Sequence, residues 1–306
     1  MNNLQKYAIA GLVGALVIGL SAYNLFKTKG YDKAVGVEEE GNKPAAQNHR
    51  SYKLKLSSLV DSIPPQQPMI IRYEIKNDKG EILRNFEIVH EKIMHFIAVR
   101  KDLLYFQHLH PEFDQTTGEF TVTVNFPTDG LYRIFPDFTP AKSEDNPQIL
   151  PVTLFSDLRV GDLSRYQPKT VQPDSSIKKA VGDYQISFSF PKAVKKQQEI
   201  SYTLTIGKDG QPVTNLGKYL GALGHSVILG ADSLDLIHTH TGEDSKTLDS
   251  GRHGVDVMTD EKSTTTAGPK ITFSAMVPEA GIYKIFTQFL HEGIVQTVDY
   301  SIRVED

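Results

Sequence analysis

Three histidines recur with identical spacing. His95, His108 and His110 reappear as His225, His238 and His240, each 130 residues further on, and these six are most of the ten histidines present. A fixed offset of this kind marks an internal duplication. It constrains the fold strongly, because whatever architecture one copy adopts, the chain must build it twice. It also puts the commonest metal-ligating side chain at the centre of each copy.

The flanking residues give the spacing a meaning. In the first copy the β-prone run Ile93–Arg100 is followed by Lys101-Asp102 and then by Leu103–His110. Two such runs around a short polar dipeptide predict a hairpin with Lys101-Asp102 as its loop. In that register His95 lies opposite His108, and His110, two residues on, points to the same face. The second copy repeats the pattern with Ala231-Asp232 as the loop and His225 opposite His238, His240 beside it. The histidines share their faces with Ile97, Val99, Leu104 and Phe106, and with Val227, Leu229, Leu234 and Leu236. The expected arrangement is therefore a three-histidine cluster in each repeat, at the open end of each hairpin and at the edge of a sheet's core, forming either two sites or one shared site. Partial burial there keeps imidazoles neutral and available as ligands.

The duplication extends further. Gly80, Asn85 and Asp102 match Gly210, Asn215 and Asp232, while Gly130–Phe138 resembles Gly281–Phe289 at an offset of 151. The second copy thus carries about 21 more residues between His240 and Gly281, a Ser/Thr/Asp-rich stretch read as a surface loop. Short alternating segments separated by turn residues predict strands at 51–57, 68–76, 82–89, 92–100, 103–109, 119–126, 130–137 and 150–160. A second series is predicted at 183–190, 199–206, 224–230, 234–240, 270–277, 281–289 and 294–304. The expected fold is all-β: two tandem β-sandwiches, immunoglobulin-like or cupredoxin-like, at 51–160 and 183–306, with a polar linker at 161–182.

Ahead of them, Tyr7–Phe26 is an uncharged apolar stretch long enough to span a bilayer. Residues 1–27 are read as a membrane anchor, or as a cleaved signal if residues 1–21 are removed, and 28–50 as a flexible tether. Lys27 and Lys29 after the segment argue against export, but long domains translocate largely regardless of flanking charge. The repeats are expected outside the cytoplasmic membrane.

The chain has no cysteine, which excludes disulfides and thiolate metal sites. A net charge of -4 with no basic stripe argues against nucleic acid as a partner. No nucleophile elbow or phosphate loop is present, so no catalytic residues are assigned and an enzyme is not expected. Three imidazoles suit Cu(II) first and Zn(II) second. Asp137 and Gln288, equivalent in the two copies, are candidates for a further ligand or for orienting an imidazole, as is His291. His49, His90 and His253 are read as incidental.

The segments Met94-His95, Phe106–Pro111 and Phe135–Pro140, with Gly221–His225 and His238–His240, resemble a poorly characterised family of bacterial exported proteins found with heavy-metal and copper-handling systems. The resemblance covers both repeats and departs from the pattern where Thr241 replaces the proline after the second H-x-H. It implies an exported or membrane-anchored envelope protein with a metal connection and no established activity; the partners expected are the cytoplasmic membrane, through the N-terminal segment, and an envelope metal-handling protein. The two functions weighed are metal sequestration, sensing or delivery, and a structural or adhesive tandem sandwich whose histidines brace the fold or respond to pH.

Overall fold

A computed structural model of the chain describes residues 52–57, 63–143, 150–241 and 267–306. The expected anchor and tether, His49, most of the insertion with His253, and the side chain of His240 lie outside the described residues. Among the described residues no helix is long and apolar enough to cross a membrane.

The first half runs β1 (Lys53–Leu56), β2 (Pro68–Lys76), β3 (His95–Arg100), β4 (Phe106–Leu109), β5 (Glu112–Asp114), β6 (Glu119–Asn125), β7 (Gly130–Phe138), β8 (Val152–Thr153) and β9 (Ser156–Val160). The second runs β10 (Lys178–Val181), β11 (Tyr184–Ser189), β12 (Glu199–Lys208), β13 (Gln211–Pro212), β14 (His225–Gly230), β15 (Leu236–His240), β16 (Lys270–Met276), β17 (Gly281–His291) and β18 (Ile294–Val304). Each half is a pair of antiparallel sheets. The orders are β1-β2-β6-β5 with β4-β3-β7-β8, and β10-β11-β12-β13 with β15-β14-β17-β18; β9 also pairs β7 and β16 also pairs β12. All-β tandem sandwiches are therefore what this sequence builds.

Alternation along the strands decides which side chains meet. In β3, Phe96 and Ala98 join Tyr73, Phe120 and Ile134 in the core of the first half. In β14, Ile228 joins Tyr202, Phe273 and Phe289 in the core of the second. The opposite faces hold Ile97, Val99, Phe135, Val227, Leu229 and Phe286, and these form a third cluster built from both halves. The stripe that accompanies the histidines is thus the contact between the repeats, not the edge of each repeat's own core. Phe106 stacks on Phe286 across it, with centroids 4.4 Å apart and planes within 8°. Fully burying an aromatic side chain of this kind stabilises by about 1.5–3 kcal/mol.

Several local expectations change. The hairpins pair Ile97 with His108 and Val227 with His238, two residues from the expected register. The backbone of Arg100 bonds to Tyr105, and that of Gly230 to Asp235, so each loop has four residues rather than two. Leu103 and Leu234 take the left-handed conformation in these loops and bury their side chains in the contact between repeats. A shift of two preserves the face of every side chain. Segment 82–89 is no strand but a crossing held by isolated bridges at Ile82, Phe86 and Val89. The strand expected at 150–160 breaks between β8 and β9 because Leu154 lies opposite Pro136, which accepts from Leu154 N–H but has no N–H to return. The expected linker ends early: β10 lies within it and pairs β11. The remainder is pinned, with Lys169 N–H donating to buried Asp102 and Ser301 N–H to Asp174.

Candidate metal centre

The two histidine-bearing sheets pack on each other, and their reciprocal contacts relate the halves by an approximate twofold axis. His95 (β3), His108 (β4) and His110, just past β4, offer ligand nitrogens within 4.8 Å of one another, a grouping that can hold a metal ion. The other repeat closes over it. The His238 ring lies 5.0 Å from His95 and 5.2 Å from His108, and His225 lies 6.1 Å from His108. The described histidines of both trios form one cluster at the contact between repeats. His240 is placed opposite His225 by the backbone register alone.

Polar partners are exchanged across the axis. His238 Nδ1 donates to Asp137 Oδ2 at 3.1 Å, and His108 Nδ1 to Gln288 Oε1 at 2.9 Å. Asp137 sits opposite His95 on β7, and Gln288 opposite His225 on β17. Thr153 Oγ1 holds the other oxygen of Asp137 at 2.7 Å, and Thr297 Oγ1 accepts from Gln288 Nε2 at 3.1 Å. Each of these two residues therefore orients an imidazole that belongs to the other repeat.

The remaining anchors come from two tight turns. Val89 and Lys92 bond reciprocally around His90-Glu91, and Tyr219 and Ala222 around Leu220-Gly221. All four central residues have positive φ, the signature of a type I′ turn. The Val89 carbonyl accepts from His95 Nε2 at 3.1 Å, and the Tyr219 carbonyl from His225 Nε2 at 2.7 Å.

These bonds fix the protons. A carbonyl or carboxylate oxygen only accepts, so the hydrogen sits on Nε2 of His95 and His225 and on Nδ1 of His238, and on Nδ1 of His108 where the Gln288 amide presents its oxygen. In neutral rings the other nitrogens then carry lone pairs. His95 Nδ1 and His108 Nε2 nevertheless lie 2.9 Å apart. Burial and neighbouring histidines keep both rings neutral: His95 is pushed down to about 2 and His108 well below its usual range. Burial, with His238, lowers His225 to about 3. Burial, with Lys92 nearby, lowers His110 to about 4. Its Nε2 is buried without a hydrogen-bond partner among the described residues. Two lone pairs in hydrogen-bond contact repel unless a cation lies between them.

His291 is elsewhere. It falls on the core face of β17, opposite in parity to Gln288, and its nitrogens bond Tyr184 Oη at 2.8 Å and Asn215 Oδ1 at 3.0 Å. That parity is readable in the sequence. His90, read there as incidental, lies against the cluster, 5.3 Å from the His225 ring and 6.5 Å from His95. No spacing rule points to it, because it is absent from the second copy. Tyr219, also missed, packs its ring 5.4 Å from His225 and 6.5 Å from His108.

Solved structures of similar outline share little with this chain. Trypsin-activated alpha-2-macroglobulin from Escherichia coli is 11% identical, with a TM-score of 0.26, over 83% of this chain and 16% of that one. MtrC from Shewanella baltica OS185 is 7% identical, with a TM-score of 0.24, over 82% of this chain and 68% of that one. The D00-D0 domain of intimin is 11% identical, with a TM-score of 0.20, over 84% and 100%. No curated protein matches the sequence. A family profile, by contrast, matches twice, at residues 47–154 and 179–306. The chain belongs to the family described as Domain of unknown function (DUF8832), which it contains in two copies.

Proposed function

We propose that this protein binds a divalent transition metal at one centre shared by its two repeats. His95, His108 and His110 hold the ion, and His225 and His238 face it from the other repeat. The observation that carries this reading is the convergence of His95, His108 and His110, whose ligand nitrogens lie within 4.8 Å of one another. The outward bond on each ring is the usual companion of a ligating histidine, fixing its tautomer and orientation. An all-imidazole donor set with no thiolate favours Cu(II), with Zn(II) next. Neutral rings at physiological pH need lose no proton to bind.

With the apolar segment at 7–26 read as an anchor, the repeats stand on the extracytoplasmic side of the membrane. There they sequester or sense the metal, or deliver it to an envelope protein. Calorimetric titration with Cu(II) and Zn(II) tests the centre. The expected result is one ion per chain, with affinity reduced by more than about 100-fold in His108→Ala and in His238→Ala. Titrations that show no uptake, or uptake indifferent to both substitutions, would leave the histidines as braces of the contact between repeats.

A further inference from the structure

Four histidines of the centre are sealed from solvent, and His110 is half-buried. His95, His108, His225 and His238 are 4%, 7%, 1% and 4% exposed. A cation carried into such a site sheds its water, at a cost that falls only if protein ligands replace that water on the way. Across the contact between the repeats, His90 is placed to begin the exchange. His90 is half-buried, and its ring contacts both His225 of the second repeat and His95 of the first.

The backbone around His90 is unusual. Its φ is 48° and that of Glu91 is 62°. Left-handed non-glycine residues are uncommon and persist only where the surroundings impose them. Here the Val89–Lys92 backbone bonds and the bond from His95 to the Val89 carbonyl impose them. The equivalent turn of the second repeat, with Leu220-Gly221 at its centre, faces it: a Cβ on Gly221 would lie 3.7 Å from Glu91 Oε1. One turn of the facing pair thus offers an imidazole and a carboxylate, and the other offers neither.

We propose that His90 is the access ligand of the centre: it takes a divalent transition metal from solvent and, with His225, passes it inward to His95, His108 and His110. The assignment rests on the metal-centre reading above and adds a direction of loading, from the His90-Glu91 turn and not from the Leu220-Gly221 turn. Access ligands act on rate, whereas resident ligands act on affinity.

Stopped-flow mixing of the apoprotein with Cu(II) separates the two. Uptake is followed by quenching of tyrosine fluorescence, since the chain has no tryptophan and Tyr219 packs on His225. His90→Asn suits the test, because asparagine accepts the left-handed conformation and removes the imidazole. The expected result is uptake slowed by roughly tenfold or more, with equilibrium affinity within about threefold of the parent. Adding Leu220→His to His90→Asn, at a residue of the same left-handed geometry, should restore much of the rate. An unchanged rate in His90→Asn overturns the proposal. So does an affinity loss as large as that of His108→Ala, which would make His90 a resident ligand. A parent protein that takes up no Cu(II) refutes the metal centre itself, which is a different outcome.

Discussion

The two repeats build the same scaffold and furnish it differently. Both use a four-residue hairpin loop, a type I′ turn whose carbonyl holds a histidine, and a β7- or β17-type strand whose inward residue reaches across the axis. Three of the departures from symmetry bear on charge, access and the stacked contact. Asp137 is matched by Gln288, His90-Glu91 by Leu220-Gly221, and Phe106 by Leu236. The difference teaches where charge and access are allowed. Of these paired positions, one and not both sets a carboxylate against an imidazole across the contact, and one turn and not both carries a histidine.

The largest break in the comparison is expected in the apolar contact. Phe286 stacks on Phe106, whereas its repeat equivalent Phe135 belongs to the same cluster without a stacked aromatic partner among the described residues. Phe286→Ala should cost about 3–5 kcal/mol in denaturant unfolding, from lost burial and the cavity left behind. Phe135→Ala should cost about 1 kcal/mol less, the margin an aromatic pair adds beyond its area. Equal losses would mean that the two repeats contribute equally to the contact.

A middle-sized effect is expected at the reciprocal pair. Asp137→Asn keeps an acceptor for His238 but removes the charge, and should weaken metal binding by about 10–100-fold. Gln288→Glu, which adds a charge at the equivalent place, should not weaken it. If the two substitutions act alike in a competition titration, the asymmetry of charge has no bearing on the metal.

The smallest effect is a titration. In the metal-free protein His110 titrates near 4 because burial and Lys92 disfavour its imidazolium. Lys92→Met should move that titration upward, observed on the ring carbons by NMR. The same depression gives stability a direction with pH. The unfolded rings titrate near 6.5, so below that pH the unfolded state binds more protons than the folded state. The stability due to these neutral rings is present above about pH 6.5 and declines as the pH falls toward 4. Urea midpoints of the metal-free protein at pH 7.5, 6 and 5 check this; midpoints that rise on acidification would contradict neutral burial.

Much of this site was legible in the sequence, and the reason is parity. Side-chain direction along a strand depends only on odd or even position, so the histidines keep a common face although the hairpin register is off by two. The equivalence of Asp137 and Gln288 was legible from the second offset for the same reason. What lay beyond reach is long-range. No local pattern says that the stripe Ile97-Val99 packs on Val227-Leu229 rather than on its own partner sheet. Nor does one say that Asp137 belongs to His238, 101 residues away. His90 has no duplicate, with Leu220 at the equivalent position, so the repeat does not point to it. The segment at 82–89 alternates like a strand but passes between sheets, where tertiary position overrides pattern.

The pinned linker has a consequence for how such a centre can be composed. Lys169 and Ser301 fasten it through Asp102 and Asp174, so the two repeats form their centre within one molecule. A centre shared by two separate copies of one chain would come apart on dilution. It would also display every substitution twice, with an aspartate at 137 appearing on both sides. Joined in one chain, the halves meet at any protein concentration, and each side of the axis is free to mutate alone. The single aspartate and the single access histidine are arrangements that only a fused pair can encode.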